Sequence, residues 1–166
     1  MKKRVGINGF GRIGRQLTKL ILDSNNVDLV AINDLSDSKT SSHLFKYDTS
    51  YGVFNGEVLS NENQITIEGK VINKLSERDP SKINWSDYDV DIVIESTGIF
   101  TNKSDAEKHL QGSVKKVIIS APATDEDLTI VLGVNDDAYD TKKHNTNYHG
   151  CCKSSCKCDS RNERQD

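Results

Sequence analysis

Apolar residues in this chain gather into short runs, and the polar breaks between them carry the turn residues. Val5-Gly6-Ile7 is the first run and reads as a buried strand. It enters a glycine-rich turn, after which Ile13, Leu17, Leu20 and Ile21 recur at helical spacing. Asp23-Ser24-Asn25-Asn26 breaks that helix. Val27-Asp28-Leu29-Val30-Ala31-Ile32 then reads as a second strand, parallel to the first across a right-handed helical crossover. A helix is expected to begin near Ser36–Thr40, with His43, Leu44 and Tyr47 on one face, and Tyr51 to Leu59 reads as a glycine-containing connection. Gln64–Ile67 and Val71–Leu75 flank Glu68-Gly69-Lys70, an inserted hairpin with a three-residue turn. Further strands are expected over Asp89–Glu95, Lys116–Ser120 and Leu128–Leu132, with a short helix from Ser104 to Leu110 stopped at Gly112. Strands that are apolar almost throughout, alternating with helices, predict an α/β fold with a doubly wound, mostly parallel sheet.

The first turn carries the chemistry. Gly9, Gly11 and Gly14 stand at G-x-G-x-x-G spacing between a strand and a helix. In that setting the first glycine permits the tight turn and the second lets backbone approach a pyrophosphate. The third lets helix and strand pack closely. The free N–H groups and positive dipole end of the helix then face the anion. Asp34 lies 20 residues beyond Gly14, at the carboxyl end of the second strand. There its carboxylate can accept from both adenosine ribose hydroxyls and repel a 2′-phosphate, which favours NAD over NADP. The alternative for Asp34 is a helix cap; joined to the glycine turn, the ribose role is favoured. Together these features make the fold Rossmann-type.

Composition narrows the remaining classes. The chain has 166 residues and a net charge of −3, enough for one domain with a sizeable core and too acidic for a nucleic-acid surface. No apolar run approaches the roughly 18 residues of a membrane span, and Asn8-Gly9 interrupts anything resembling a secretory signal. A cytoplasmic protein is expected. All four cysteines lie between Cys151 and Cys158.

The glycine turn, Ala31-Ile32-Asn33-Asp34, Lys46-Tyr47-Asp48-Thr49-Ser50-Tyr51-Gly52, Glu77-Arg78-Asp79-Pro80, Glu95-Ser96-Thr97-Gly98-Ile99-Phe100 and Val117–Pro122 occur in that order. This series resembles the N-terminal part of phosphorylating glyceraldehyde-3-phosphate dehydrogenases of bacterial type, over about residues 2–145. The resemblance implies an NAD-binding domain in an enzyme family that oxidises an aldehyde with phosphate capture in glycolysis. It implies that Asn8, Gly9, Arg12 and Ile13 line the pyrophosphate, mostly through backbone groups, and that Asp34 takes the adenosine ribose, with Gly11 and Gly14 counted to the cofactor site through the glycine turn. It also places Arg78 beside the adenine, Ser96, Thr97 and Gly98 on the neighbouring wall, and Ser120 near the nicotinamide half. Neither Arg78 nor Ser120 is marked by spacing alone. For the family the resemblance implies a homotetramer, which a chain of this length is not expected to build.

After Asn145 the resemblance stops. The family's apolar strand and Ser-Cys-Thr-Thr-Asn-Cys segment should follow, whereas this chain reads Thr146-Asn147-Tyr148-His149-Gly150-Cys151-Cys152-Lys153. Counting without gaps puts Cys152 at the position of the nucleophile, which a helix dipole and a histidine would activate as thiolate. Three readings stand for residues 146–166: a nucleophile in a diverged setting, a metal- or redox-active tail, and a non-native tail. The second would make the chain a non-catalytic dinucleotide-binding module. Between Thr141 and Asp166 there is no Leu, Ile, Val, Met, Phe or Ala, too little apolar surface to offset ordering entropy. The expected organisation is therefore a cofactor domain over 1–145 and a disordered tail over 146–166, without a substrate domain and without turnover by the chain alone. No metal site is assigned.

Overall fold

The computed structural model describes residues 2–149. In chain order the elements are β1 (Lys3–Asn8), α1 (Arg12–Leu22), β2 (Val27–Asn33), α2 (Ser38–Lys46), β3 (Tyr47–Asp48) and β4 (Gly52–Val53). There follow β5 (Val58–Asn61), β6 (Gln64–Ile67), β7 (Lys70–Leu75), β8 (Ile92–Glu95), α3 (Lys103–Ala106), β9 (Lys116–Ile119), β10 (Leu128–Ile130) and β11 (Thr146–His149). Among the described residues nine strands form one sheet in the order β10-β11-β9-β8-β1-β2-β7-β6-β5. From β10 through to β7 every pairing is parallel, and β6 and β5 close the far edge antiparallel. The chain leaves β1 toward β2 and β7, then returns to the other side of β1 for β8 and β9. That reversal opens a crevice at the carboxyl ends of β1 and β8, where α/β sheets of this kind bind ligands.

Both faces of the sheet are covered, which is why its strands are apolar almost throughout. On one face Ile7, Ile32, Ile65 and Ile72 pack with Phe10, Ile21 of α1 and Phe45 of α2. On the other, Ala31, Val93, Val117 and Ile119 pack with Trp85 and Ala106. Trp85 lies so close beneath β1 that a Cβ on Gly6 would stand 2.7 Å from its ring.

Several elements differ from the pattern-based expectation. The buried face of α1 is Gly14, Thr18 and Ile21, while Ile13 and Leu20 are 52% and 68% exposed. On α2 the buried positions are Ser38, Ser41, Ser42 and Phe45; His43, Leu44 and Tyr47 face outward, and the His43 and Tyr47 rings lie tilted at 45° with centroids 4.9 Å apart. The hairpin turn holds two residues, because Ile67 pairs with Lys70; Glu68 and Gly69 both take positive φ, the geometry that suits two-residue hairpins. Part of the expected connection is β5, which pairs with β6. Asp89 closes a left-handed turn at φ 48, so β8 starts only at Ile92. The expected helix from Ser104 is a single α turn continued as a 3-10 turn over Glu107–His109.

Residues 146–149, expected to open a disordered tail, form a strand. Thr146–His149 form β11, inserted between β9 and β10 and paired parallel with both. What orders this polar segment is its setting. The Asp127 carboxylate accepts from the backbone N–H groups of Asn145 and Thr146 at 2.7 and 2.9 Å, and the Asp127 N–H donates back to the Thr146 carbonyl. Lys116 ties down the approach through the carbonyls of Thr141 and His144.

Candidate functional site

The turn between β1 and α1 is shaped by close approaches. Gly9 takes φ 95, and a Cβ there would meet the Thr97 backbone nitrogen at 2.7 Å. A Cβ on Gly14 would meet the Gly9 carbonyl oxygen at 2.2 Å. Gly11 has open space where its side chain would be. The first helical bond of α1 runs from the Arg15 N–H to the Gly11 carbonyl. The N–H groups of Arg12, Ile13 and Gly14 therefore precede any intrahelical partner. Among the described residues no side chain caps α1 and no acidic residue sits in its first turn. A helix start left open in this way, beside empty space at Gly11, suits an anionic group.

A cleft of about 420 Å³ lies over this turn, lined by Asn8, Gly9, Gly11, Asn33, Asp34, Leu35, Glu77, Arg78, Ser96, Thr97, Ile99 and Phe100. Asp34 stands on its rim and does not cap α2; that is done by Asp37, whose side chain accepts from the Thr40 N–H. The Asp34 Oδ2 accepts from the Phe10 N–H at 2.7 Å, and Oδ1 from the N–H and hydroxyl of Ser36 at 2.9 and 2.5 Å. Burial pushes the Asp34 carboxyl up. The Ser36 and Phe10 hydrogen bonds and the nearby Lys74 charge outweigh it and hold the group below the usual carboxylate range. Counting lone pairs, one direction on Oδ2 stays free for an incoming hydroxyl. A second becomes free when the Ser36 hydroxyl turns to Ser41, 2.9 Å away.

Beneath the cleft runs a buried polar chain. Asn8 is 1% exposed; its side-chain oxygen accepts from Asn33 at 2.7 Å and its amide donates to Glu95 Oε2 at 2.6 Å. Asn33 in turn fixes Glu77 by two bonds, donating to its carbonyl and accepting from its N–H. Glu95 Oε1 accepts from the N–H and hydroxyl of Thr97, and Oε2 lies 3.1 Å from His109 Nε2. Trp85 can only donate, and it donates to His109 Nδ1 at 3.1 Å. His109 must therefore carry its proton on Nε2 and donate it to Glu95. The carboxylate thus receives four donors, and the residues that form the cleft wall are held from behind.

The structure brings Asn8, Gly9, Gly11, Asp34, Arg78, Ser96 and Thr97 of the expected set to one cleft. Asn8 takes part as a framework residue, since its side chain is consumed internally. Arg12, Ile13, Gly14, Gly98 and Ser120 are not among the lining residues. Gly14 acts through packing, and the Arg12 side chain lines a separate hollow with Arg15, Tyr47 and Tyr51. Ser120 sits at the end of β9, its N–H donating to the Glu95 carbonyl. Cys152 lies outside the described residues. Sequence reasoning missed Leu35, Ile99 and Phe100, which give the cleft apolar edges, and the Glu95–His109–Trp85 chain. For the latter the sequence offers only the three-residue spacing of Ala106 and His109 within the expected Ser104–Leu110 helix; that both are buried is seen in the fold.

A glycine turn at the switch point of a doubly wound sheet, an open helix start and a carboxylate at the end of the second strand define a dinucleotide-binding domain. Residues 3–103 match the family described as glyceraldehyde 3-phosphate dehydrogenase, NAD binding domain, and the chain belongs to that family. NAD is the cofactor of this domain. The chain is 58% identical over 153 residues to a glyceraldehyde-3-phosphate dehydrogenase 1 of Bacillus cereus, covering 92% of this chain and 46% of that relative. It is 55% identical over 157 residues to a glyceraldehyde-3-phosphate dehydrogenase 2 of Streptomyces avermitilis, covering 94% and 47%. A Thermotoga maritima glyceraldehyde-3-phosphate dehydrogenase is 54% identical over 136 residues, covering 81% and 41%. The chain thus spans a little under half the length of these curated relatives. Among the described residues no helix is long and apolar enough to cross a membrane.

Proposed function

We propose that this chain is the cofactor-holding half of a phosphorylating glyceraldehyde-3-phosphate dehydrogenase, with NAD seated in the cleft between the carboxyl ends of β1 and β8. In this reading the N–H groups of Gly11, Arg12 and Ile13 face the pyrophosphate. Asp34 accepts from the adenosine ribose, and Arg78 lies beside the adenine, with Leu35 and Phe100 among the apolar residues of the same cleft. Ser96 and Thr97 form the opposite wall with Gly98 next to them in the chain, and Ser120 lies toward the nicotinamide. The cofactor domain extends to the end of β11 rather than to Asn145. When bound, NAD supplies the hydride acceptor for oxidation of an aldehyde. The chain alone takes up cofactor without turning over aldehyde, because Gly150–Lys157 lacks the family's sequence around the nucleophile.

The observation that carries the reading is the bond from the Phe10 N–H to Asp34 at 2.7 Å, which joins the pyrophosphate turn to the ribose carboxylate. Calorimetric titration of the 166-residue chain with NAD and NADP tests it. Saturable NAD binding is expected, with NADP at least about tenfold weaker because a 2′-phosphate meets the Asp34 carboxylate. Asp34→Ala is expected to abolish that preference. Equal affinity for the two cofactors in the unaltered chain would refute it. Mixing the chain with glyceraldehyde 3-phosphate, phosphate and NAD is expected to give no absorbance of reduced nicotinamide.

A further inference from the structure

Strand β7 turns Ile72 and Lys74 to the same buried face, so a lysine occupies a position that an apolar residue would fill at lower desolvation cost. Lys74 is 7% exposed. Its ammonium donates to the carbonyls of Asp34 at 2.5 Å, Ser36 at 2.8 Å and Leu75 at 3.0 Å, which uses all three protons. Two of those carbonyls belong to the short loop that carries the Asp34 carboxylate. A further tie, from the Asp34 N–H to the Leu75 carbonyl at 3.0 Å, anchors the same loop to the same strand.

We propose that Lys74 is the positioning residue for the ribose-binding carboxylate: its ammonium, solvated by three carbonyls, pins the Asp34–Ser36 loop to β7 and aims Asp34 into the cleft. The inference rests on the reading of the cleft as the NAD site. Lys74 lies on β7 and is not among the residues that line the cleft, whereas Asp34 is, so Lys74 acts on the cofactor only through Asp34. Burial draws the ammonium toward its neutral form, and the charges of Asp34 and Asp37 oppose this. The lysine thereby adds a compensating charge near a carboxylate that is half withdrawn from water. Loss of the ammonium leaves two loop carbonyls without this donor and frees the loop to drift.

The test compares NAD with 2′-deoxy-NAD, which lacks the adenosine 2′-hydroxyl. The full chain is expected to prefer NAD by about tenfold or more, the worth of a hydrogen bond to a charged group. Lys74→Met is expected to weaken NAD by about tenfold, leave 2′-deoxy-NAD within about threefold, and so remove most of the preference. Lys74→Arg, which keeps a cation and donors, is expected to restore part of it. A Lys74→Met protein that retains the full preference overturns the proposal. So does one that loses affinity for both ligands equally, the signature of a general structural defect. Should Lys74→Met fail to fold by circular dichroism, Lys74→Gln is read by the same criteria. Failure of the unaltered chain to bind NAD, or of Asp34→Ala to change the preference, overturns the NAD-site reading and this proposal together. A preference lost in Asp34→Ala and kept in Lys74→Met overturns this proposal alone.

Discussion

His109→Phe probes the buried chain behind the cleft. The substitution keeps a flat ring in a site that is 0% exposed and removes both ring nitrogens. Two losses follow from the geometry. The Glu95 carboxylate, 1% exposed, loses the donor 3.1 Å from its Oε2. A hydrogen bond to a charged group contributes about 1.5–3 kcal/mol. Trp85 loses the acceptor of its only polar group, a bond of 3.1 Å in a residue 1% exposed. A buried unsatisfied donor costs about 1–3 kcal/mol. The expected destabilisation is about 2.5–6 kcal/mol, a large share of the 5–15 kcal/mol typical of a folded domain. Urea unfolding read through the fluorescence of Trp85, the one tryptophan in the sequence, measures it. With a slope of about 2 kcal/mol per molar, the midpoint should fall by about 1.3–3 M. With unfolding read by circular dichroism, since Trp85→Phe removes the fluorophore, Trp85→Phe combined with His109→Phe should be less destabilised than the sum of the single changes, because it removes the orphaned indole N–H. Since Glu95 also holds Thr97, NAD affinity should weaken as well. A His109→Phe protein as stable as the original would refute the hydrogen-bond assignments, including the proton on Nε2.

Glycine substitutions should separate packing from ligand space. Gly14→Ala drives a methyl to 2.2 Å from the Gly9 carbonyl oxygen and should lower thermal stability by about 1–3 kcal/mol and abolish NAD binding. Gly11→Ala, where the added carbon meets open space, should change stability by less than about 1 kcal/mol yet weaken NAD by about tenfold or more. At low pH β11 should loosen through Asp127. Burial pushes that carboxyl up, but Lys103 and the N–H groups of Thr146 and Asn145 hold it below its ordinary value of 3.8. Its contribution is present above about pH 3.8 and is lost as the pH falls through the lowered folded value. Asp127→Asn should therefore exchange the Asn145 and Thr146 amides faster at neutral pH and show a weaker acid dependence there; unchanged exchange would contradict the clasp.

The parallel core was legible because buried strands must be apolar on both faces, as Leu29–Ile32 and Val93 show. The glycine turn and Asp34 were legible because their backbone geometry restricts the residues that fit. What escaped was set by partners distant in sequence. Thr146–His149 is polar and becomes a strand only because β9, β10 and Asp127 complete its hydrogen bonds. Val58–Asn61 shows no alternation, and its register comes from β6. Nothing in the run Val71-Ile72-Asn73-Lys74-Leu75 marks Lys74 as buried; it shares the inward face with Ile72 because the fold brings three carbonyls to it. The helical spacing of Ile13 and Leu20 misled, because the close approach of Gly14 to the Gly9 turn fixes which face of α1 lies inward.

Amide-resolved nuclear magnetic resonance of the 166-residue chain, titrated with NAD, tests the proposal that the start of α1 and the carboxylate of Asp34 hold one NAD molecule between them. Saturable shifts are expected at Phe10, Gly11, Arg12 and Ile13, at Ser36 as its hydroxyl gives way, and at Thr97 across the cleft. Amides in those three places that stay fixed up to millimolar NAD, while the chain remains folded, would contradict it.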